Sequence, residues 1–421
     1  MVACYPCITA MSFIAQRCTK MFTPAHGYRA PPDREILEGL ETQPLKVLRI
    51  PAVTGIVHDV QIRDVEYLGS YNWMESGIPT LVVPGSPRLW LDKRLPFSVS
   101  PDQGRTSLSD NENHVPGRAL VPLLCAVDIV EEKTGKEEKF AWSTVDFVTN
   151  RRSLRKLLRW IDGRAKTNFR IDMQLAGSRT VLLSPWEANT SEPVWANYGY
   201  TFERVACAAA PGCEKGHTRI ISYDFDGLKM VLRSNVNAFL LAPAGEASTS
   251  VDSLTRDLSL LGLQASPGIS PKDAVLDAVS GLHIVRSGSA NISQDSLIEI
   301  DTCSEKRRYS LKWPEVYPQM FLSQTSNRYT AIHEDGRFHT VEKRKLGEPY
   351  MRKVEERTQP GLRKLRHVLQ VIHDLVLEHG ETGRLCLVCE KGELKVYKRT
   401  TMESFLPDEF LQRFHDNGEG F

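Results

Sequence analysis

Hydrophobic and polar positions alternate along much of the chain, and the alternation predicts a fold rich in strands. Phe169, Ile171, Met173 and Leu175 take every second position, and Ala176-Gly177-Ser178 turns that strand into Thr180 to Leu183. Thr218 to Asp224 and Leu228 to Leu241 read as strands joined at Asp226-Gly227. Two more hairpins follow: Arg328 to Ile332 with Phe338 to Val341, and Arg384 to Cys389 with Leu394 to Tyr397 over Lys391-Gly392. Between Leu45 and Trp90, the runs Val47 to Ile50, Ile56 to Ile62, Val65 to Leu68 and Thr80 to Val83 predict strands or short irregular elements. Pro84-Gly85-Ser86-Pro87 ends the last of them.

Helical spacing appears in fewer places. Leu154, Leu157, Leu158 and Ile161 form one apolar face behind Asn150, a good N-cap. Leu362, Leu365, Val368, Leu369, Ile372, Leu375 and Val376 make the clearest amphipathic helix, ending at Gly380. Trp195, Tyr198, Phe202 and Val205 mark a third stripe, Pro314 to Ser323 a fourth, and Pro407 to Phe414 a short last one; Pro122 to Val130 fits a strand or a short helix. The pattern predicts an α/β protein, a mixed sheet with flanking helices, with one domain over residues 45–421 after a disordered tail, 1–44. Residues 98–118 read as a surface loop, and 242–295, rich in Ala, Ser, Gly and Pro, as a flexible insertion.

Composition narrows the class. The 421 residues are 41% apolar and 25% charged, as in soluble globular proteins, and no apolar run is long enough for a membrane helix. A net charge of +1 gives no global attraction to nucleic acid, so any basic site must be local. The nine cysteines form no disulfide framework and fit a reducing compartment, nuclear or cytoplasmic. Cys4-Tyr5-Pro6-Cys7 and Cys386-Leu387-Val388-Cys389 have metal-pair spacing, but neither has a second pair or a His close by, and Cys386 and Cys389 would face opposite ways on a strand. Before Asp33 the only Lys or Arg residues are Arg17, Lys20 and Arg29; this fits a mitochondrial-type presequence, a disordered tail, or translation starting at Met11 or Met21.

Candidate chemistry gathers at a few positions. On the strand Ser296 to Asp301, Ile298 and Ile300 share one face while Glu299 and Asp301 share the other. Adjacent carboxylates resist joint desolvation, so they face water, a metal or a phosphate-bearing ligand. Asn235 and Asn237 are spaced in the same way on their strand. Arg151, Arg155 and Arg159 step by one helical turn along one helix, with Arg152 beside them in its first turn. Cations at a helix start oppose the macrodipole, but free N–H groups and guanidinium forks there suit an anion. A solvated basic face and a phosphate site are both open readings.

The order of these features resembles the DXO family of RNA 5′-end decapping and exonuclease enzymes, a branch of the PD-(D/E)XK nuclease fold. The resemblance runs discontinuously from Trp142 to Val341. It implies that Arg151 contacts RNA phosphate, with Arg152 and Arg155 beside it, and that Glu203, in Gly199-Tyr200-Thr201-Phe202-Glu203, helps hold a metal and its water. Asn235-Val236-Asn237 stands where the family has Glu-Val-Asp, its metal-binding carboxylates. Glu299-Ile300-Asp301 stands where it has Glu-Leu-Lys, and Gln319 matches a Gln near the RNA 5′ end. The implied cofactor is Mg²⁺ or Mn²⁺, and the implied partner is an RNA 5′ end.

The departures bear on catalysis. Two amides in place of two carboxylates remove two negative charges, which lowers metal affinity on the order of a thousandfold. Asp301 replaces the lysine that would stabilise developing charge. Two accounts follow. In one, catalysis is weakened or lost and the fold persists as an RNA-binding protein or, alternatively, as a non-catalytic interaction scaffold with a protein partner and a vestigial cleft. In the other, Glu203, Glu299 and Asp301 form a rearranged metal site with Asn237 as a neutral ligand, and catalysis rests on these carboxylates and Gln319. Arginines pointing into a basic groove would favour RNA; arginines paired to carboxylates, with an exposed apolar patch elsewhere, would favour the scaffold.

The chain is also similar to fungal proteins named geranylgeranyl pyrophosphate synthetases, over Leu68-Gly69-Ser70-Tyr71-Asn72-Trp73 and Thr80 to Pro87. An isoprenyl synthase needs Asp-Asp-x-x-Asp on helices. The chain has no Asp-Asp and is not all-helical, so that activity is not expected.

Overall fold

In the computed structural model, residues 34–415 are described except 53–57, 108–113, 136, 166, 188, 190, 194–196, 242–269, 289–290 and 311. They lie within one compact unit, Pro32–Phe421. The tail before residue 34, the Cys4–Cys7 pair, Trp195 and the core of the expected insertion fall outside the described residues.

Two mixed sheets carry the architecture. The larger has twelve strands. Its middle runs Phe169–Ala176, Thr180–Trp186, Phe147–Asn150, Lys229–Val236, His217–Phe225 and Ile62–Trp73 in space. Side chains on both faces are buried because helices cover both. Met230, Leu232, Phe147 and Met173 pack under the helices Arg151–Ile161 and Arg352–His379. Val231, Val148 and Leu182 pack against Val121–Thr134 on the other face. Each fully buried large aliphatic contributes about 2 kcal/mol.

The smaller sheet has seven strands, ordered Cys207–Ala208, Arg88–Trp90, Ala238–Phe239, Leu297–Ser304, Asn327–Glu334, Arg337–Lys345 and Phe97–Ser98. The chain passes between sheets at Asn237. Val236 is the last residue of its strand in the large sheet, and Ala238 pairs with Ile298 in the small one. Leu297–Ser304 runs parallel to Asn327–Glu334, setting Glu299 opposite Arg328.

Several expectations change. Ile62 and the run Val65 to Leu68 belong to one twelve-residue strand, Ile62–Trp73, which bulges to follow its neighbour. Val121–Thr134 is a helix, capped by left-handed Gly135. The amphipathic helix begins at Arg352 and keeps Pro360 inside it; the neighbouring Gln359 side chain is buried and holds the Val60 backbone N–H at 2.9 Å and C=O at 3.2 Å. Within the region 242–295, His283 to Val285 already reads as a short strand in the sequence, and His283–Arg286 is one: it joins the large sheet beside Thr80–Val83 and buries Ile284 and Val285. The second face of Phe169–Ala176 is also buried, and there Arg170 donates to Asp172 at 2.6 Å.

The Leu68–Trp73 and Thr80–Pro87 signature is scaffold. A Cβ on Gly85 would meet Asn72 Oδ1 at 2.2 Å, so only glycine fits. The fully buried Asn72 accepts from Ser86 N–H at 2.9 Å, donates to the Lys215 carbonyl at 2.9 Å and bonds His217 Nδ1 at 3.0 Å. This hub fixes the turn that launches Arg88–Trp90.

Candidate functional site

The arginine helix starts as its sequence predicts. Asn150 Oδ1 accepts from Ser153 N–H at 2.9 Å, and Leu154, Leu157, Leu158 and Ile161 are buried. Its arginine row faces a second helix, Trp313–Ser323, and is not a fully solvated surface. Arg151 donates to Ser323 Oγ at 3.3 Å, Arg155 to Gln319 Oε1 at 3.2 Å, and Arg159 to Glu315 Oε2 at 3.3 Å. One row ascends by helical turns as the other descends, so the helices lie antiparallel and zip together. Among the described residues Arg155 makes no ion pair: its hydrogen-bond partner is the Gln319 amide, and Glu299 acts on it only at a distance. Burial first, then Arg159, Arg152 and Arg151, push its guanidinium down to about 10.

On the flank of the same helix, Arg152 and Lys156 share Glu187, at 3.1 and 2.9 Å. Burial alone would raise the Glu187 carboxyl, but the two cations hold it below the usual value. Lys156 is itself lowered, chiefly by burial, because one carboxylate serves two cations.

Two groups of side chains, which we call walls, meet where the chain passes from one sheet to the other. On the first, Glu299 is held on both oxygens: Arg151 donates to Oε2 at 2.9 Å, and Arg328 lies 3.4 Å from Oε1. Arg328 also donates to Asp301 Oδ2 at 2.6 Å, while Asp301 Oδ1 accepts from Thr302 N–H at 2.9 Å. The Arg328 side chain is only 6% exposed and Asp301 is 47% exposed.

On the second wall stands Glu203, on the helix Gly199–Ala206. No side chain caps this helix from its own N-cap position, Tyr198; Asp102 does so from a distant loop, accepting from the Tyr200 and Thr201 N–H groups at 3.1 and 2.8 Å. Glu203 Oε2 accepts from Asn237 at 2.7 Å, and Arg88 Nε lies 3.3 Å from Oε1. Burial raises the Glu203 carboxyl above its usual value, more than Asn237 and Arg88 lower it. Asn237 Oδ1 accepts from Ile300 N–H at 2.9 Å and so ties the two walls together.

Glu203, Asn237, Glu299, Asp301 and Arg151 are therefore joined in one network through the Ile300 backbone and Arg328. Gln319 touches it only by its backbone carbonyl, which accepts from Ser323 Oγ at 2.8 Å, while its side chain holds Arg155. Asn235 and Arg152 are not brought in. The Asn235 side chain is exposed and accepts from Thr218 at 3.4 Å; only its backbone carbonyl reaches Arg151, at 3.5 Å. The expected pairing of Asn235 with Asn237 fails because the chain changes sheets between them.

The donor set does not fit a divalent cation. The carboxylate and amide oxygens of Glu203, Asn235, Asn237, Glu299 and Asp301 are occupied by N–H, O–H or guanidinium groups. Among the described residues no three His, Cys, Asp or Glu side chains are grouped to hold a metal ion. Cys386 and Cys389 are buried in separate clusters on opposite faces of their strand.

The sequence reading missed Arg88, Arg328, Asp102 and Ser323. Arg328 carries no distinguishing signal in the sequence, since Arg88, Lys229 and Arg384 also stand at the starts of apolar strands. Its partner is visible only once that strand is paired with Glu299.

The fold defines a class: the chain has the decapping-nuclease fold of the Rai1 and Dxo1 proteins, a PD-(D/E)XK type. Scheffersomyces stipitis Rai1 superposes with a TM-score of 0.54 at 11% identity, covering 88% of this chain and 97% of that one. Candida albicans Rai1 in complex with pU5-Mn²⁺ gives 0.52 at 12% identity, over 88% and 98%. K. lactis Dxo1 in complex with manganese gives 0.50 at 11%, over 85% and 97%. At such identity the likeness establishes fold alone. The chain itself belongs to the family described as domain of unknown function DUF8563, whose model matches residues 57–415. No curated protein matches it in sequence. Among the described residues no helix is long and apolar enough to cross a membrane.

Proposed function

We propose that this protein binds RNA 5′ ends through a decapping-nuclease cleft whose hydrolytic chemistry is weakened or lost. The observation that carries this reading is the charge balance at the cleft. Arg88, Arg151, Arg155 and Arg328 stand against Glu203, Glu299 and Asp301, leaving one guanidinium without a carboxylate. A terminal phosphate would meet Arg155 and compete with Glu299 for Arg151, in the fork geometry that guanidinium offers to phosphate. That competition makes the affinity modest and strongly dependent on salt. The similarly folded Candida albicans Rai1, solved in complex with pU5-Mn²⁺, supports the kind of ligand, an RNA. The arginine pairing argues against the water-activating metal that hydrolysis would need.

Fluorescence anisotropy with 5′-phosphorylated and 5′-hydroxyl RNA of one sequence tests the proposal. The phosphorylated RNA should bind about tenfold more tightly, and Arg155→Ala should remove that preference. Equal binding of both RNAs, or none, would sink it.

The scaffold reading keeps one observation in its favour. Arg151, Arg152 and Lys156 are paired to carboxylates, while Val275, Leu276 and Val279 are exposed at the far end of the large sheet. Absence of any RNA binding, together with a protein partner lost on Leu276→Asp, would select it.

A further inference from the structure

We infer that Arg328 is a built-in counter-cation, taking the electrostatic place of a divalent ion, so that the cleft holds its anionic ligand without metal. Its position follows from the fold. The parallel register that sets Arg328 beside Glu299 also brings Asp301 within reach of the same side chain. One guanidinium thereby bridges both carboxylates, at 3.4 and 2.6 Å, as a cation between two acidic ligands would. It is almost fully buried and rigidly held by its strand. Arg151 completes the arrangement on the other oxygen of Glu299, at 2.9 Å.

The consequence is a change in what the cleft needs from solution. Three carboxylates brought together without cations would repel one another and need a metal to assemble. Here Arg328, Arg151 and Arg88 neutralise them in the folded chain itself. A divalent ion would have to displace a guanidinium from Glu299 and Asp301 to enter. Guanidinium is a donor only, so it can hold carboxylates and attract phosphate but cannot generate hydroxide from water. The inference draws on the reading above only for the ligand, RNA; the metal behaviour it states can be measured without RNA.

Titration calorimetry of the full chain with MnCl₂ alone is the test, with folding checked by circular dichroism. The wild type should bind no Mn²⁺, and its melting temperature should be the same in Mn²⁺ and in EDTA. Arg328→Ala, or the bulkier Arg328→Gln if the alanine variant unfolds, should gain Mn²⁺ binding that Glu299→Ala in the same background removes. Arg328→Lys should behave as wild type. Wild-type Mn²⁺ binding, a wild-type melting shift in Mn²⁺, or a folded Arg328 variant that gains nothing would each overturn the inference. If Mn²⁺ behaves as stated but phosphorylated RNA does not bind, the RNA reading fails and this one stands.

Discussion

Glu187 and Glu203 are both largely buried glutamates near the arginines, and their surroundings push them in opposite directions. Glu187, on the outer flank of the arginine helix, faces two cations, and its carboxyl is held low. Glu203, in the cleft, has one arginine and one amide, and burial holds its carboxyl high. The flank is a satisfied structural ion cluster. The cleft keeps a carboxylate under electrostatic strain, which is the usual condition of a binding or reacting site. The difference lies in how many cations face each carboxylate, two at Glu187 and one at Glu203.

The largest effect should come from the cleft. Arg328→Ala leaves Glu299 buried beside a single remaining arginine and should cost about 3 kcal/mol in urea unfolding, with solvent screening the exposed side of Asp301. For the same reason, introducing the residues that the sequence resemblance implies, Asn235→Glu, Asn237→Asp and Asp301→Lys, should destabilise the protein while Arg328 remains, since a lysine at 301 would sit against its guanidinium. Next in size, Arg155→Ala should weaken binding of phosphorylated RNA about tenfold and flatten its salt slope by roughly one phosphate contact. Arg152→Ala, on the flank, should leave that binding near the wild-type value.

The two glutamates should also differ in sign with pH. Glu203 binds its proton more tightly folded than unfolded, so its contribution favours folding at low pH and falls as pH rises through the raised value. Glu203→Gln should remove that decline. Glu187 releases its proton more readily when folded, so its contribution is present above the ordinary carboxyl range and is lost as pH falls through the lowered value. Glu187→Gln should remove that loss. Unfolding curves from pH below the ordinary glutamate value up to neutral would separate them, Glu187 acting on the acid side of that value and Glu203 on the other, and matching slopes would erase the contrast. The smallest effect should be the stability cost of Arg152→Ala, under about 1 kcal/mol, because Lys156 keeps Glu187 paired.

How much of this was legible in the sequence follows from the range of each interaction. The strand Phe169–Ala176, the helix start at Asn150 and the alternation around Glu299 are local patterns, and the structure keeps them. The nuclease-like order of motifs survived because motif order is one-dimensional. What the sequence hid was pairing. Whether Arg151, Arg155 and Arg159 face solvent or a second helix depends on how two helices lie together. The role of Arg328 depends on a parallel register between strands separated by a helix. Asn235 and Asn237 look equivalent by spacing, and only the passage from one sheet to the other at Asn237 parts them.

The central claim is that this cleft recognises an RNA 5′ end without metal-driven hydrolysis. The most direct test follows 5′-triphosphorylated RNA with the wild-type protein, first in EDTA and then in Mn²⁺, measuring bound and cleaved RNA in the same samples. The account predicts equal, salt-sensitive binding in both and no 5′-end product in either. Product that requires Mn²⁺ and disappears in Glu299→Ala would contradict it.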